Sequence, residues 1–358
     1  MLNRHENPPS REARIIELDA LRGLAAFAVL LYHFTSVYPR LIAQEGFPGI
    51  PQVWCGYFGV ELFFMISGFV VFFTAQRAHT TASFAVSRFA RLYPAYWVAV
   101  LLATLIQVLQ GADLPQLFRQ MMINLTMLQT FIGVKNLDGS YWTLAFELSF
   151  YALIVVALRA TVARGRPVEW AFIAWLAMAT VLRGSALQIP YRLSIITLLY
   201  YGQFFVFGSA FYIIQSGAAK GLTYFVALWA LLISAFGADP HTPAAGFTDY
   251  FPMALACAAI FVASVLYKPR FLRFSIFTFL GRISYSLYLT HSSLGFFVMT
   301  KTLRSGATPL EAIILATALA IAVGYLLNLT VETPGRYALR YALSRYTSPS
   351  KPITADPL

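Results

Sequence analysis

The sequence predicts an all-α, polytopic membrane bundle of about ten transmembrane helices with both termini cytoplasmic. Three observations predict it. Side chains are 59% hydrophobic and only 11% charged, whereas about a quarter of the residues of a soluble globular chain are charged. Apolar runs of membrane length recur through all 358 residues and leave no stretch long enough for a separate soluble domain. Lysines and arginines fall in alternate loops between those runs, which is what the positive-inside rule produces.

The runs lie near 15–36, 57–75, 92–110, 141–159, 168–184, 193–215, 221–237, 249–267, 276–299 and 308–331. The first follows a polar, arginine-bearing start, as a signal peptide does. It runs on to about twenty residues without a small-residue cleavage site, so it reads as a retained helix. Residues 114–134 are half apolar with Arg119 and Asn124 inside, and read as an interfacial or re-entrant segment. One set of alternate loops holds eighteen basic residues, from Arg4 to Lys351. The other holds seven: Arg40, Arg119, Lys135, Arg183, Arg192, Lys301 and Arg304. Every alternate loop agrees in sense, which requires an even number of spans.

The same distribution accounts for the net charge of +11 without nucleic acid. Residues 1–340 form one transmembrane domain, and 341–358, ending SPSKPITADPL, read as a disordered cytoplasmic tail. No repeat of 20 to 50 residues is visible, which lowers the expectation of an inverted-repeat transporter. Cys55 falls in a loop and Cys257 in a span, with no metal-ligand spacing, so no metal is expected.

Ionisable groups inside apolar spans carry the chemistry, because a charge at mid-bilayer costs several kcal/mol unless it is paired or faces a polar cavity. Arg22 and His33 share the first span, eleven residues and roughly 16 Å apart on nearly one helical face. With the orientation above, Glu61, Glu147 and His291 join His33 in the outer half, while Arg88, Arg91 and Arg282 join Arg22 in the inner half. A cationic inner mouth beneath an acid/base cluster suits a ligand with phosphates at one end and a reactive group at the other. The 16 Å separation is about the length of an extended pantetheine arm. Each group also admits a structural role: membrane anchoring for Arg88 and Arg91, packing for Glu61, Glu147 and His291. Tyr141 and Trp142 read as interface-belt aromatics, and Gly23 and Gly68 as close helix contacts.

Six motifs in order resemble the acyltransferase family 3 membrane acyltransferases, O-antigen and exopolysaccharide O-acetyltransferases among them. They are LDALRGLAAFAVLLYHF with Arg22 and His33, GYFGVELFFMISGFVVF with Glu61, SRFARLYPAYW with Arg88 and Arg91, YWTLAFELSFY with Glu147, FLGRISYSLYLTH with His291, and VETPGR with its Glu-x-Pro at Glu332 to Pro334. The resemblance covers nearly the whole chain. It implies transfer of an acyl group, most often acetyl, from cytoplasmic acyl-CoA (acetyl-CoA) to a hydroxyl of a cell-surface or lipid-linked carbohydrate or glycoside acceptor. It also implies a multi-pass protein of the bacterial cytoplasmic membrane, in its stand-alone form, with room for a homo-oligomer or polysaccharide-assembly partners. On this reading His33 is the general base or covalent acyl carrier, oriented by Glu61 or Glu147, with His291 beside it. Arg22, Arg88, Arg91 and Arg282 hold coenzyme A. The same residues also fit a proton-coupled transporter of an anionic small molecule.

Overall fold

The computed structural model describes residues 15–43, 46–237, 239–240 and 249–344, and their regular structure is entirely helical. Helix α1 (Ile16–Tyr32) continues through π turns at His33–Val37 and Pro39–Ala43. A 3-10 turn, Trp54–Phe58, leads into α2 (Gly59–Arg77), followed by α3 (Thr81–Leu109), α4 (Leu114–Asn124) and α5 (Gln129–Ile132). Next come α6 (Trp142–Val162), α7 (Glu169–Gly184), α8 (Tyr191–Ile196), α9 (Gly202–Gln215), α10 (Gly221–Leu232) and α11 (Tyr250–Leu266). The last three are α12 (Ser275–Arg304), α13 (Pro309–Leu327) and α14 (Thr333–Ser344), the final pair joined by a π turn at Asn328–Glu332. The tail expected to be disordered is helical as far as Ser344, and the remainder lies outside the described residues.

Five helical stretches among the described residues are long and apolar enough to cross a membrane: Ile16–Ala43, Trp54–Arg77, Thr81–Leu109, Gly139–Val162 and Pro309–Leu343. Gly221–Phe236 and Tyr250–Leu266 are apolar but shorter. Helix α12 is 30 residues long and of mixed polarity, because it turns Ser284, Ser286, Thr290, His291 and Ser292 inward, all buried. The run 193–215 is not one helix. Leu198 adopts a left-handed backbone, φ 55°, which separates α8 from α9. The Thr197 carbonyl freed by that break accepts a 2.6 Å bond from Trp175 Nε1, so it is not orphaned in an apolar layer.

Helices α4 and α5, of 11 and 4 residues, are too short to cross, in keeping with a segment that does not span. Asn124, fully buried, ties this segment together: its Nδ2 donates to the Gln120 and Lys135 carbonyls and its Oδ1 accepts from the Leu137 N–H. Tyr141 is not an interfacial aromatic. It is fully buried, its ring 5.2 Å from Tyr96.

Close helix contacts set the registers that matter for function. A Cβ on Gly23 would fall on the backbone of Gly281, and one on Gly281 would fall on the Asp19 carbonyl, so α1 and α12 touch backbone to backbone. Gly68 and Gly208 bring α2 and α9 together in the same way. Because α1 and α12 run parallel, positions ten residues beyond each glycine meet again. Those positions are His33 and His291. Replacing Gly281 with leucine wedges the pair apart; we expect a loss of about 1–3 kcal/mol, the usual cost of overpacking, measured as a lower melting temperature of the detergent-solubilised protein.

Candidate active site

The two imidazoles are in contact, His33 Nδ1 lying 3.3 Å from His291 Nε2 with the ring planes 79° apart. Backbone carbonyls fix both tautomers. His33 Nδ1 lies 2.8 Å from the Val29 carbonyl, and His291 Nδ1 lies 2.8 Å from the Tyr288 carbonyl. A carbonyl only accepts, so each Nδ1 carries the proton. His291 Nε2 then presents a lone pair to the shared His33 Nδ1–H, and His33 Nε2 keeps a free lone pair. His33 is half-buried whereas His291 is buried. His33 also opens a π turn, a local widening that recurs at functional sites.

The carboxylate that acts on this pair is Asp138. It interacts electrostatically with both histidines and is buried at 1% exposure. Its Oδ1 accepts from Ser140 N at 2.7 Å and Ser140 Oγ at 2.6 Å, and its Oδ2 accepts from Ser293 N at 2.7 Å. The last bond attaches it to α12 two residues beyond His291.

Beneath the histidines lies a cavity lined by Arg22, Arg91 and Glu147 toward one end and by Thr143 and Tyr288 toward the other, with Phe63 along its wall. Neither histidine lines it. Tyr288 stands between, its hydroxyl 2.8 Å from Thr143 Oγ1 and its ring 5.7 Å from those of Phe63 and His291. A second space of about 290 Å³ shares Arg22, Phe63, Arg91 and Glu147 and extends past Ser67 and Tyr151. Arg22 and Arg91 repel each other, and Asp19, Glu147 and Glu332 offset them. Glu332, in the π turn Asn328–Glu332, accepts from Ser286 Oγ at 2.6 Å and Asn328 Nδ2 at 2.9 Å, linking α12 to the turn that follows α13. Arg88 is buried against Phe84 and Tyr151, with Nε and Nη1 unpartnered.

Three of the expected placements differ. Glu61 does not touch His33: it is fully buried and accepts from the Tyr250 hydroxyl at 3.2 Å. At about 100° per residue, Glu61 and Phe63 point to nearly opposite sides of α2, and Phe63 is the one that faces α12. Glu147 belongs to the arginine end, accepting from Ser67 Oγ at 3.2 Å and the Tyr151 hydroxyl at 3.4 Å. It lies nine residues, roughly 13 Å, along from Asp138. The Arg282 side chain is exposed and lines neither space.

A family model described as an acyltransferase domain matches residues 15–329. The chain belongs to acyltransferase family 3. Among its relatives, acyltransferase MdmB of Streptomyces mycarofaciens is 28% identical over 150 residues, covering 40% of this chain and 39% of the relative. Nodulation protein 10 of Rhizobium leguminosarum bv. viciae is 31% identical over 119 residues, covering 28% of this chain and 32% of the relative. The matched stretches thus span well under half the length of either relative. No solved structure matches the chain.

For this member of acyltransferase family 3, the fold gathers Arg22, Arg91 and Glu147 around one cavity, with Arg88 and Glu332 flanking it and the histidine pair above. Asp138, Thr143 and Tyr288 complete the arrangement and are not apparent from apolar-span analysis. Asp138 falls just before a span, where it reads as an ordinary turn residue ahead of Gly139. The tautomers make a direct prediction. Treatment of the purified protein with an imidazole-carbethoxylating reagent should modify His33, through Nε2, and spare the buried His291, as read by peptide mass spectrometry.

Proposed function

We propose that the protein is an integral-membrane O-acyltransferase. It moves an acyl group, acetyl in the simplest case, from cytoplasmic acyl-CoA to a hydroxyl of a cell-surface or lipid-linked carbohydrate. The setting is the bacterial cytoplasmic membrane, with ten spans and both termini cytoplasmic. The observation that carries this reading is the cavity that runs from Arg22 and Arg91 to Tyr288, directly beneath the paired imidazoles.

The chemistry follows from the residues. The acyl-CoA enters from the arginine end, where guanidinium groups bind phosphate oxygens through charge-assisted bonds. His33 Nε2 takes the proton of the acceptor hydroxyl as its oxygen attacks the thioester carbonyl, or itself attacks that carbonyl to form an acyl-imidazole that the hydroxyl then cleaves. In either route the thiolate of coenzyme A leaves and receives the proton. The positive charge that develops on the His33 ring is stabilised by the His291 Nε2 lone pair at Nδ1 and by the carboxylate of Asp138. Support for the acyl chemistry also comes from the similarity to MdmB, an acyltransferase.

Purified protein given radiolabelled acetyl-CoA and a glycoside acceptor should release free coenzyme A and label the acceptor. Accumulation of substrate in vesicles without thioester consumption would show a transporter instead. His33→Ala should abolish transfer while the protein still reaches the membrane. Asp138→Asn should lower kcat by about a hundredfold, the scale of a lost acid/base contribution, with little change in KM for acetyl-CoA. Arg88→Ala should raise that KM roughly tenfold, the worth of one charge-assisted bond, and leave kcat nearly unchanged.

A further inference from the structure

Farther along α6 than the donor cavity lies a separate space that shares no lining residue with the other two. A third space of about 250 Å³ opens between the end of α2, the start of α3 and the last turns of α6, lined by Ala75, Thr80, Thr81, Phe84, Val155 and Arg159. The three spaces lie in one row. Along α6 they are lined in turn by Thr143 and Glu147, by Glu147 and Tyr151, and by Val155 and Arg159. Positions 143, 147, 151, 155 and 159 recur every four residues, a ridge that winds about 160° around the helix from its first position to its last. Along α2 the lining advances in the same sense, from Val60 through Ser67 to Ala75. From Thr143 to Arg159 the ridge is roughly 24 Å long.

Two guanidinium groups lie at this end of the row, Arg88 behind it and Arg159 in the lining of the third space. Arg88 lines neither the second nor the third space but packs behind them, over Tyr151 of the one and Phe84 of the other. It is only 8% exposed, and its Nε and Nη1 have no protein partner, which leaves them open to a polar ligand or water. Arg159 is held in the third space by a 3.1 Å bond from its Nη2 to Thr81 Oγ1. Among the described residues no carboxylate is ion-paired with it.

Length assigns the ligand. This step rests on the acyl-CoA reading above. With the thioester beneath the histidines, an extended pantetheine arm of about 16 Å brings the diphosphate to the level of Arg22, Arg91 and Arg88. What remains of the donor is an adenosine with a phosphate on its 3′ oxygen. The next feature in the row is a space with a cation at its rim and apolar walls from Ala75, Phe84 and Val155. We infer that this third space is a subsite for the 3′-phosphorylated adenosine of the donor, with Arg159 binding the 3′-phosphate. The site thereby selects a free nucleotide thioester, since the same acyl arm on a carrier protein ends at its phosphate and leaves the subsite empty.

The test compares coenzyme A with 3′-dephospho-coenzyme A as competitors of radiolabelled acetyl-CoA on the full-length protein in lipid nanodiscs. The wild type should bind coenzyme A roughly tenfold more tightly, one charge-assisted contact. Arg159→Ala should bring the two to within about twofold, and Arg159→Lys should restore part of the preference. Equal binding of the two competitors by the wild type overturns the subsite, and that comparison needs no variant to fold. A preference that persists in Arg159→Ala overturns the role of Arg159. Failure of acetyl-CoA itself to bind overturns the donor reading, a result distinct from equal competition.

Discussion

The arrangement depends on the backbone contact between Gly23 and Gly281. Two parallel helices that touch there cannot drift in register, so the residues ten positions on are held opposite each other. At that level the contact widens enough for two imidazoles, and the π turn at His33 supplies the extra room. A bulkier residue at either glycine would separate the helices where nothing else fills the gap. Packing and chemistry are thus two ends of one interface.

Electrostatics gives the other half. Arg22, Arg88 and Arg91 lie inside the bundle, where Glu147, Glu332 and Asp19 only partly offset them. Buried charges without full compensation cost several kcal/mol each, a cost that an anionic ligand lowers when it binds. One that neutralises the surplus and completes the open Arg88 donors does so. The hydroxyl-rich face of α12 provides the neutral polar surroundings that a mixed cavity of this kind requires.

Much of this was legible in the chain. The loop charges indicated parallel courses for the first and the late histidine-bearing spans, and α1 and α12 are parallel. Gly23 and Gly68 read as helix contacts and are. What sequence spacing does not determine is rotation about a helix axis. Glu61 and Phe63 are two residues apart in an apolar run, and only the packed bundle shows that the phenyl ring and not the carboxylate faces the histidines. Depth within a span is similarly loose, which is why Glu147 lies with the arginines. Asp138 escaped because it lies outside the apolar runs, and the break at Leu198 because neither glycine nor proline marks it.

The Phe63 and Tyr288 rings close the cavity below the histidines. In a membrane that holds an electrical potential, an open path from the cytoplasm to the far surface would leak ions and protons, and each charge crossing 100 mV dissipates about 2.3 kcal/mol. Two aromatic rings at this point, one tethered by its hydroxyl to Thr143, put an apolar constriction where such a path would run. On the proposed transfer across the bilayer, only the arm of the donor, and no continuous column of water, would displace those rings.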